Sequence, residues 1–226
     1  MATVNMKLIS VNVGQPREVK WKNKVVTTAI FKESVEGRAT VNTLNIECDG
    51  QADLDAHGGP SKAVYAYPAE HYATWRGELG DMELPWGIFG ENLTTEGLLE
   101  DAVRIGDRFC IGTTTLQVTE PRVPCYKLAV RFDRPDIVRL MKETGRTGFY
   151  LRVLEEGVVE AGDDIEALGR DPGEVTVKDI TQLHSGRETA NAQLMRQAIS
   201  IAALGEDWRG YFEHKLKKIE TAGQRD

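Results

Sequence analysis

Cys125 sits in the run Pro121-Arg122-Val123-Pro124-Cys125-Tyr126-Lys127, a setting that gives its thiol scope for chemistry. Neighbouring cations favour the thiolate, the form that attacks or binds metal, and Arg122 and Lys127 flank this sulfur. The two prolines restrict the loop that carries it. A free cysteine also serves as a small apolar filler, and that is the reading for Cys48 and Cys110, which lack such neighbours. Three further patches offer polar groups. In His57-Gly58-Gly59-Pro60-Ser61-Lys62, paired glycines let the backbone approach a ligand, and their N–H groups can cradle an anion. Lys62 adds a point charge there and His57 a proton exchangeable near neutrality. Just upstream, Asp49, Asp53 and Asp55 supply carboxylates without the EF-hand calcium spacing. In Thr144-Gly145-Arg146-Thr147-Gly148-Phe149, a guanidinium fork between glycines suits a phosphate or a pterin edge. In Phe89-Gly90-Glu91-Asn92-Leu93, the Glu and Asn can hydrogen-bond a heterocycle or cap a turn. Alone, each patch reads equally well as a turn between elements.

These residues need elements to hold them. Residues 6–13 and 24–31 read as strands, and so do residues 41–48, with Leu44, Ile46 and Cys48 on one face. DGQADLDAHGGP is a loop and SKAVYAY a strand. Pro68 suits the first turn of a helix with the stripe Tyr72, Trp75 and Leu79 and a stop at Gly80. Residues 102–119 read as short strands, with Leu116 and Val118 pointing the same way, and the Cys125 segment leaves them as a loop. Pro135 opens a short helix closed by Gly145, after which FYLRVLEEG and DDIEAL add two strands. This pattern predicts a closed or strongly curved sheet, a β-barrel-like α+β domain. Beyond Gly169-Arg170-Asp171-Pro172-Gly173, residues 176–184, about 188–204 and 206–220 predict three helices. Leu194, Ala198, Ile201 and the pair Trp208/Phe212 fall at helical spacing. Three short helices bury little area alone, so they must dock on the barrel or on a partner.

The composition sets bounds. A chain of 226 residues suits one sizeable domain, or one with a small appendage, and needs no disulfide staples. Its 41% hydrophobic and 28% charged residues are those of a soluble globular protein. A net charge of -7 disfavours a nucleic-acid polymer or an anionic membrane as partner. Three cysteines, few and odd in number, argue against a disulfide framework and for a reducing, cytoplasmic compartment, and without a Cys-x-x-Cys pair they lack the spacing of a zinc ribbon or an iron–sulfur cluster. The start lacks a basic n-region and a long apolar stretch, so it reads as a strand and not a signal peptide.

In their order and wording the patches are specific. GQADLDAHGGPSKAVYAYPAEHY, IFGENLTTEG, IGDRFCIGTTTLQVTEPRVPCYKL and TGRTGFYLRVLEEG resemble the MOSC domain, named for the C-terminal domain of molybdenum-cofactor sulfurase, in its YiiM-type branch. The tail, VTVKDITQLH and LGEDWRGYFEHKL, resembles the three-helix module that follows MOSC in that branch. The expected boundaries are 1–170 for the MOSC domain and 174–220 for the module. Ser61 departs from the pattern, where an acidic residue is common.

The resemblance implies a strand-rich, barrel-like α+β fold and a molybdopterin-type molybdenum cofactor, with Cys125 as the protein's ligand to the metal. Cofactor contacts are then expected from Arg122, Lys127, Gly58, Gly59, Lys62, Asn92, Arg146, Thr147 and Gly148, and protons from His57 with Asp53 behind it. The implied activity is detoxifying reduction of small N-hydroxylated compounds: hydroxylaminopurines, hydroxamic acids and amidoximes. Some relatives carry an iron–sulfur domain that is not seen here, so electrons come from a separate reductase; a homodimer is a further expectation. The rivals are a sulfur carrier with a Cys125 persulfide and a non-catalytic cofactor-binding or delivery module. A Cys–His hydrolase using Cys125 and His57 matches no local signature here.

Overall fold

The computed structural model of the chain describes residues 5–52, 58–170, 172–186 and 191–223. β1 (Lys7–Val13) is followed by a hairpin of β2 (Arg17–Trp21) and β3 (Lys24–Thr28), then by the short strands β4 (Glu33–Ser34), β5 (Arg38–Asn42) and β6 (Asn45–Ile46). β7 (Val64–Pro68), helix α1 (Glu70–Leu79) and β8 (Leu93–Glu96) come next. β7 and β8 pair in parallel, which demands a crossover, and α1 lies in it. β9 (Arg108–Ile111) and β10 (Thr114–Pro121) lead into α2 (Tyr126–Phe132) and α3 (Ile137–Thr144). β11 (Phe149–Glu155), β12 (Gly157–Glu160) and β13 (Ile165–Gly169) complete the strands, and α4 (Val177–Ser185), α5 (Ala192–Ser200) and α6 (Glu206–Gly223) follow.

The fold is α+β, built on one eight-stranded sheet of order β13-β9-β10-β11-β7-β8-β1-β4. It is not closed into a barrel. An isolated bridge between Lys7 and Asp164, with Ile165 N donating to Met6 O at 2.9 Å, brings the start of β1 to the start of β13 without a continuous ladder. The sheet curls and stops short of a seam.

Alternation explains the layering. Every residue of β7 is buried because its two faces look into two cores. Val64 and Ala66 join the cluster of Leu8, Phe109, Leu116 and Phe149. Tyr65 and Tyr67 join an aromatic cluster with Tyr72, Trp75 and Phe89 from the α1 side and Leu128, Phe132 and Met141 from α2 and α3. The helices after residue 175 belong to the first cluster through Ile180, Leu183, Met195 and Phe212. α4 opens on a capping box, in which the Thr176 hydroxyl accepts from Asp179 N and the Asp179 carboxylate accepts from Thr176 N.

Three local expectations are corrected. Residues 41–48 are not one strand: the chain turns after Asn42, so Leu44 is exposed and Cys48 takes a positive φ of 64°. Pro68 ends β7, and α1 begins at Glu70. The chain after Cys125 is helix α2, not loop. No helix among the described residues is long and apolar enough to cross a membrane.

Phe212 on α6 is fully buried in the core shared with the sheet. Phe212→Ala is expected to cost about 3–5 kcal/mol. In urea unfolding, far-UV and tryptophan signals should then move together to the lower midpoint. A helical signal that melts alone, with the sheet unaffected, would contradict the shared core.

Candidate active site

β10 delivers the reactive cysteine. Its last residues pair with β11, Glu120 opposite Tyr150 and Pro121 opposite Phe149. Arg122 N donates to Gly148 O at 3.2 Å, extending the tie by one residue. Val123 and Pro124 then lead to Cys125, whose extended backbone (φ -116°, ψ 170°) caps α2 while its carbonyl accepts from Leu128 N at 3.0 Å. The sulfur is thus anchored by a strand behind it and a helix ahead. It is a thiol, as are Cys48 and Cys110.

Cys125 opens on a cleft at the end of β10. Among the described residues, Lys32, Lys62, Arg122 and Lys127 line it together with one carboxylate, Asp49, and Tyr65, Asn92 and Tyr150 lie between them. Asp49 is the hub of its floor. One carboxylate oxygen accepts from Gly14 N at 2.8 Å and pairs with the Lys32 ammonium, and the other accepts from Asn92 Nδ2 at 2.8 Å. Burial pulls the Lys32 pKa down, and the Asp49 charge opposes that. Asn92 Oδ1 accepts from Tyr65 N at 3.1 Å, so β7 is tied to the same hub.

Arg122 is 6% exposed and lies 5.2 Å from the centre of the Tyr65 ring, with Nη1 3.4 Å from Met141 Sδ. Burial alone would lower its pKa. Tyr65, Tyr150 and Cys125 outweigh burial, so the guanidinium is held above its ordinary value and stays charged beside the thiol. Burial pushes the Tyr150 hydroxyl up to about 12, against the pull of Arg122, so it is neutral and can donate.

Cys125, Lys62 and Tyr150 also border a second chamber, closed on its far side by His184 of α4 and by Asp207, Trp208 and Tyr211 of α6. Glu120 lines this chamber and not the first. The thiol therefore stands between a cationic cleft and an aromatic, carboxylate-bearing chamber.

Of the residues expected from the sequence, Cys125, Arg122, Lys127, Lys62 and Asn92 meet around the cleft. Asn92 contributes mainly as a strut, its amide being engaged by Asp49 and Tyr65. Gly59 accepts from Lys62 N at 3.0 Å and starts the short 3-10 turn Pro60–Lys62; neither it nor Gly58 is among the residues lining the cleft. Asp53 and His57 lie outside the described residues.

The Arg146 patch is not at the cleft. Arg146 donates to Glu78 at 2.8 Å and lies over Trp75, 5.5 Å from the ring centre. Thr147 is buried, and its carbonyl accepts from Tyr65 Oη at 2.7 Å. Gly148 has φ 65°, and a Cβ there would run into Ala66 O and the Tyr65 ring. The glycine is needed for this close approach of chains. The patch braces β7 from behind and presents no donor to the cleft.

Tyr65, Tyr150, Lys32 and Glu120 were not among the residues expected at the site. Lys32 and Glu120 carry no local signature, because only the fold buries them.

Comparison with known proteins places the chain in a family. Residues 53–166 match the MOSC domain, and residues 175–218 match the YiiM-like, 3-alpha helix domain. The chain is 40% identical over 212 residues to the uncharacterized protein YflK of Bacillus subtilis, covering 94% of this chain and 95% of that one. It is 34% identical over 172 residues to a protein of Gibberella moniliformis named Reductase, covering 73% of this chain and 30% of the fungal protein. Among solved structures, YiiM from Geobacillus stearothermophilus superposes with a TM-score of 0.79 at 36% identity, covering 93% of this chain and 99% of that one.

The Asp49 hub makes a stability prediction. Asp49→Asn leaves the Lys32 ammonium buried without its counter-charge and is expected to cost about 3–5 kcal/mol in denaturant unfolding. Adding Lys32→Met should recover much of that loss. Single costs that simply add in the double variant would rule out the coupling.

Proposed function

The chain belongs to the MOSC domain family, in its YiiM-like branch, and from that premise we propose that it is a molybdenum-cofactor-dependent reductase of N-hydroxylated compounds. The observation that carries this reading is the position of Cys125 between a cationic cleft and a chamber able to hold a small molecule.

The residues fit such a cofactor. Among the described residues there is no group of three or more His, Cys, Asp or Glu side chains placed to hold a bare metal ion. Cys125 would be the protein's one ligand to a metal that brings others of its own, as molybdopterin does with its two sulfurs. A single soft thiolate suits the remaining position. Arg122 and Lys127 on the cleft wall would face the phosphate of the pterin, while the Lys62 ammonium reaches Asp207 at 3.1 Å and Glu120 at 3.7 Å. When bound, the cofactor supplies the two-electron redox chemistry that no side chain here can perform. Cys125 would hold and orient it, and the Arg122 guanidinium, held charged by Tyr65 and Tyr150 against the effect of burial, lines the same cleft.

The balanced reaction converts R–NH–OH, two electrons and two protons into R–NH₂ and water. The electrons come from a separate donor of the flavin or iron–sulfur type. The name Reductase on the fungal relative supports the general class of chemistry. N-hydroxylated bases, hydroxamic acids and amidoximes are the proposed substrates, detoxification the proposed role, and the cytoplasm the proposed compartment.

Expression in a molybdopterin-competent host followed by metal analysis tests this. Wild type should hold close to one molybdenum per chain and reduce 6-hydroxylaminopurine with reduced methyl viologen. Cys125→Ser should lose most of both. Wild type without molybdenum, or a Cys125→Ser variant that keeps it, would overturn the proposal. Cyanolysable sulfur on Cys125 without molybdenum would point to a sulfur carrier instead.

A further inference from the structure

The chamber beyond Cys125 is walled by two different parts of the chain. On one side are Glu120, Tyr150 and Lys62 from the sheet region; on the other are His184, Trp208 and Tyr211 from α4 and α6. Trp208 and Tyr211 each meet the His184 ring edge-to-face, at 5.0 and 5.2 Å between centres. An aromatic wall of this kind suits a planar ring more than an aliphatic chain. Its charges, Lys62 against Glu120 and Asp207, do not favour a phosphate.

Glu120 is 3% exposed, and its carboxylate sits 3.7 Å from Lys62 Nζ. The turn between α5 and α6 presses on it so closely that a Cβ at Gly205 would collide with Glu120 Oε2. The helices after residue 175 therefore cover an acid that the sheet supplies.

We propose that this chamber is the substrate subsite, that it takes an uncharged planar heteroaromatic base in preference to a nucleotide or an aliphatic hydroxamate, and that Glu120 donates the proton to the departing oxygen. This rests on the reductase reading and deepens it. As the N–O bond breaks, two electrons from the separate flavin- or iron–sulfur-type donor enter the nitrogen–oxygen pair. One proton passes from Glu120 to the oxygen, which leaves as water, and a second from solvent completes the amine. Glu120 regains its proton through the mouth of the chamber.

The surroundings suit Glu120 to that role. Burial pushes its carboxyl up to about 7; Lys62 pulls it down, Asp207 raises it, and the Trp208 side chain hydrogen-bonds it and opposes the rise. Tyr150 faces it across the ladder, Cys125 and His184 share its chamber, and Arg152 on β11 is occupied by Ser61 Oγ and Ala203 O. The acid form prevails below about pH 7 and is lost as the pH rises through it, so the rate should fall on the alkaline side.

Two measurements on the full chain test this. In calorimetric titration, which needs no metal, adenine should bind wild type at least about tenfold more tightly than adenosine monophosphate or acetohydroxamate. Trp208→Leu and the half-exposed Tyr211→Ala should each weaken adenine binding, by about tenfold for the first. With molybdenum-loaded enzyme, Glu120→Gln should lower kcat by roughly 10²-fold or more and abolish the alkaline fall near pH 7. Its molybdenum content should match wild type. Adenine affinity unchanged in both aromatic variants would overturn the subsite, as would equal binding of adenosine monophosphate. An unchanged pH profile in Glu120→Gln would overturn the proton donor. If wild type holds no molybdenum, the reductase reading fails, and the proton-donor role with it, while the adenine titration still decides the subsite.

Discussion

One buried carboxylate, Asp49, sets where the site can stand. It collects Gly14 N from the end of β1, the Lys32 ammonium from the segment before β4, and the Asn92 amide from the start of β8. Through Asn92 it also reaches Tyr65 N on β7. Segments distant in sequence thus meet at one point under the cleft. A buried ion pair adds little net stability over an apolar substitute, because desolvation offsets its attraction. It does penalise arrangements that separate the partners. The hub therefore acts on geometry more than on total stability: it fixes the floor against which the Cys125 loop is placed.

Above that floor the charge is divided. On the cleft side, among the described residues, the ammonium and guanidinium groups outnumber the one carboxylate, which is already committed to Lys32 and Asn92. On the chamber side, carboxyls and aromatic rings prevail. Lys62 and Tyr150 stand at the border with the thiol. An overall acidic chain can hold such a cationic pocket because burial strengthens local charge while solvent screens the rest. The net charge of -7 describes the surface and not the cleft.

This division bears on what the sequence makes legible. Cys125, Arg122 and Lys127 are adjacent in the chain, so their grouping is visible without a fold. The α+β class was legible from short alternating strands, and the last three helices from their spacing. Failures came where a local pattern has two physical readings. Leu44, Ile46 and Cys48 alternate as in a strand, yet a tight turn after Asn42 breaks the run. Thr-Gly-Arg-Thr-Gly has the composition of an anion cradle. Here its arginine is taken by Glu78 and its glycine by close packing against β7. Glycine marks close approach in both cases, and the residue type does not say whether ligand or backbone approaches. Lys32 and Asp49 lie apart in sequence, so nothing local announces their pairing.

Glu120 shows the deepest of these limits. Leu116 and Val118 point into the apolar core, and strict alternation along β10 would send Glu120 after them, an uncompensated carboxylate among Phe109, Phe149 and Leu151. The ladder avoids this with a register shift: Val118 pairs with Leu151, but Glu120 pairs with Tyr150, the next residue on β11. Two steps on β10 match one on β11, as in a β-bulge, and the bulge turns Glu120 to the face that carries Tyr150. Thr119, the extra residue, satisfies its hydroxyl against Ser61 O at 2.6 Å and Tyr150 O at 3.0 Å. The hydroxyl at Thr119 stabilises the irregularity, the irregularity re-aims the acid, and the turn at Gly205 closes over it. A period-two reading of the strand cannot see that sequence of causes, because the bulge is the point at which the period changes.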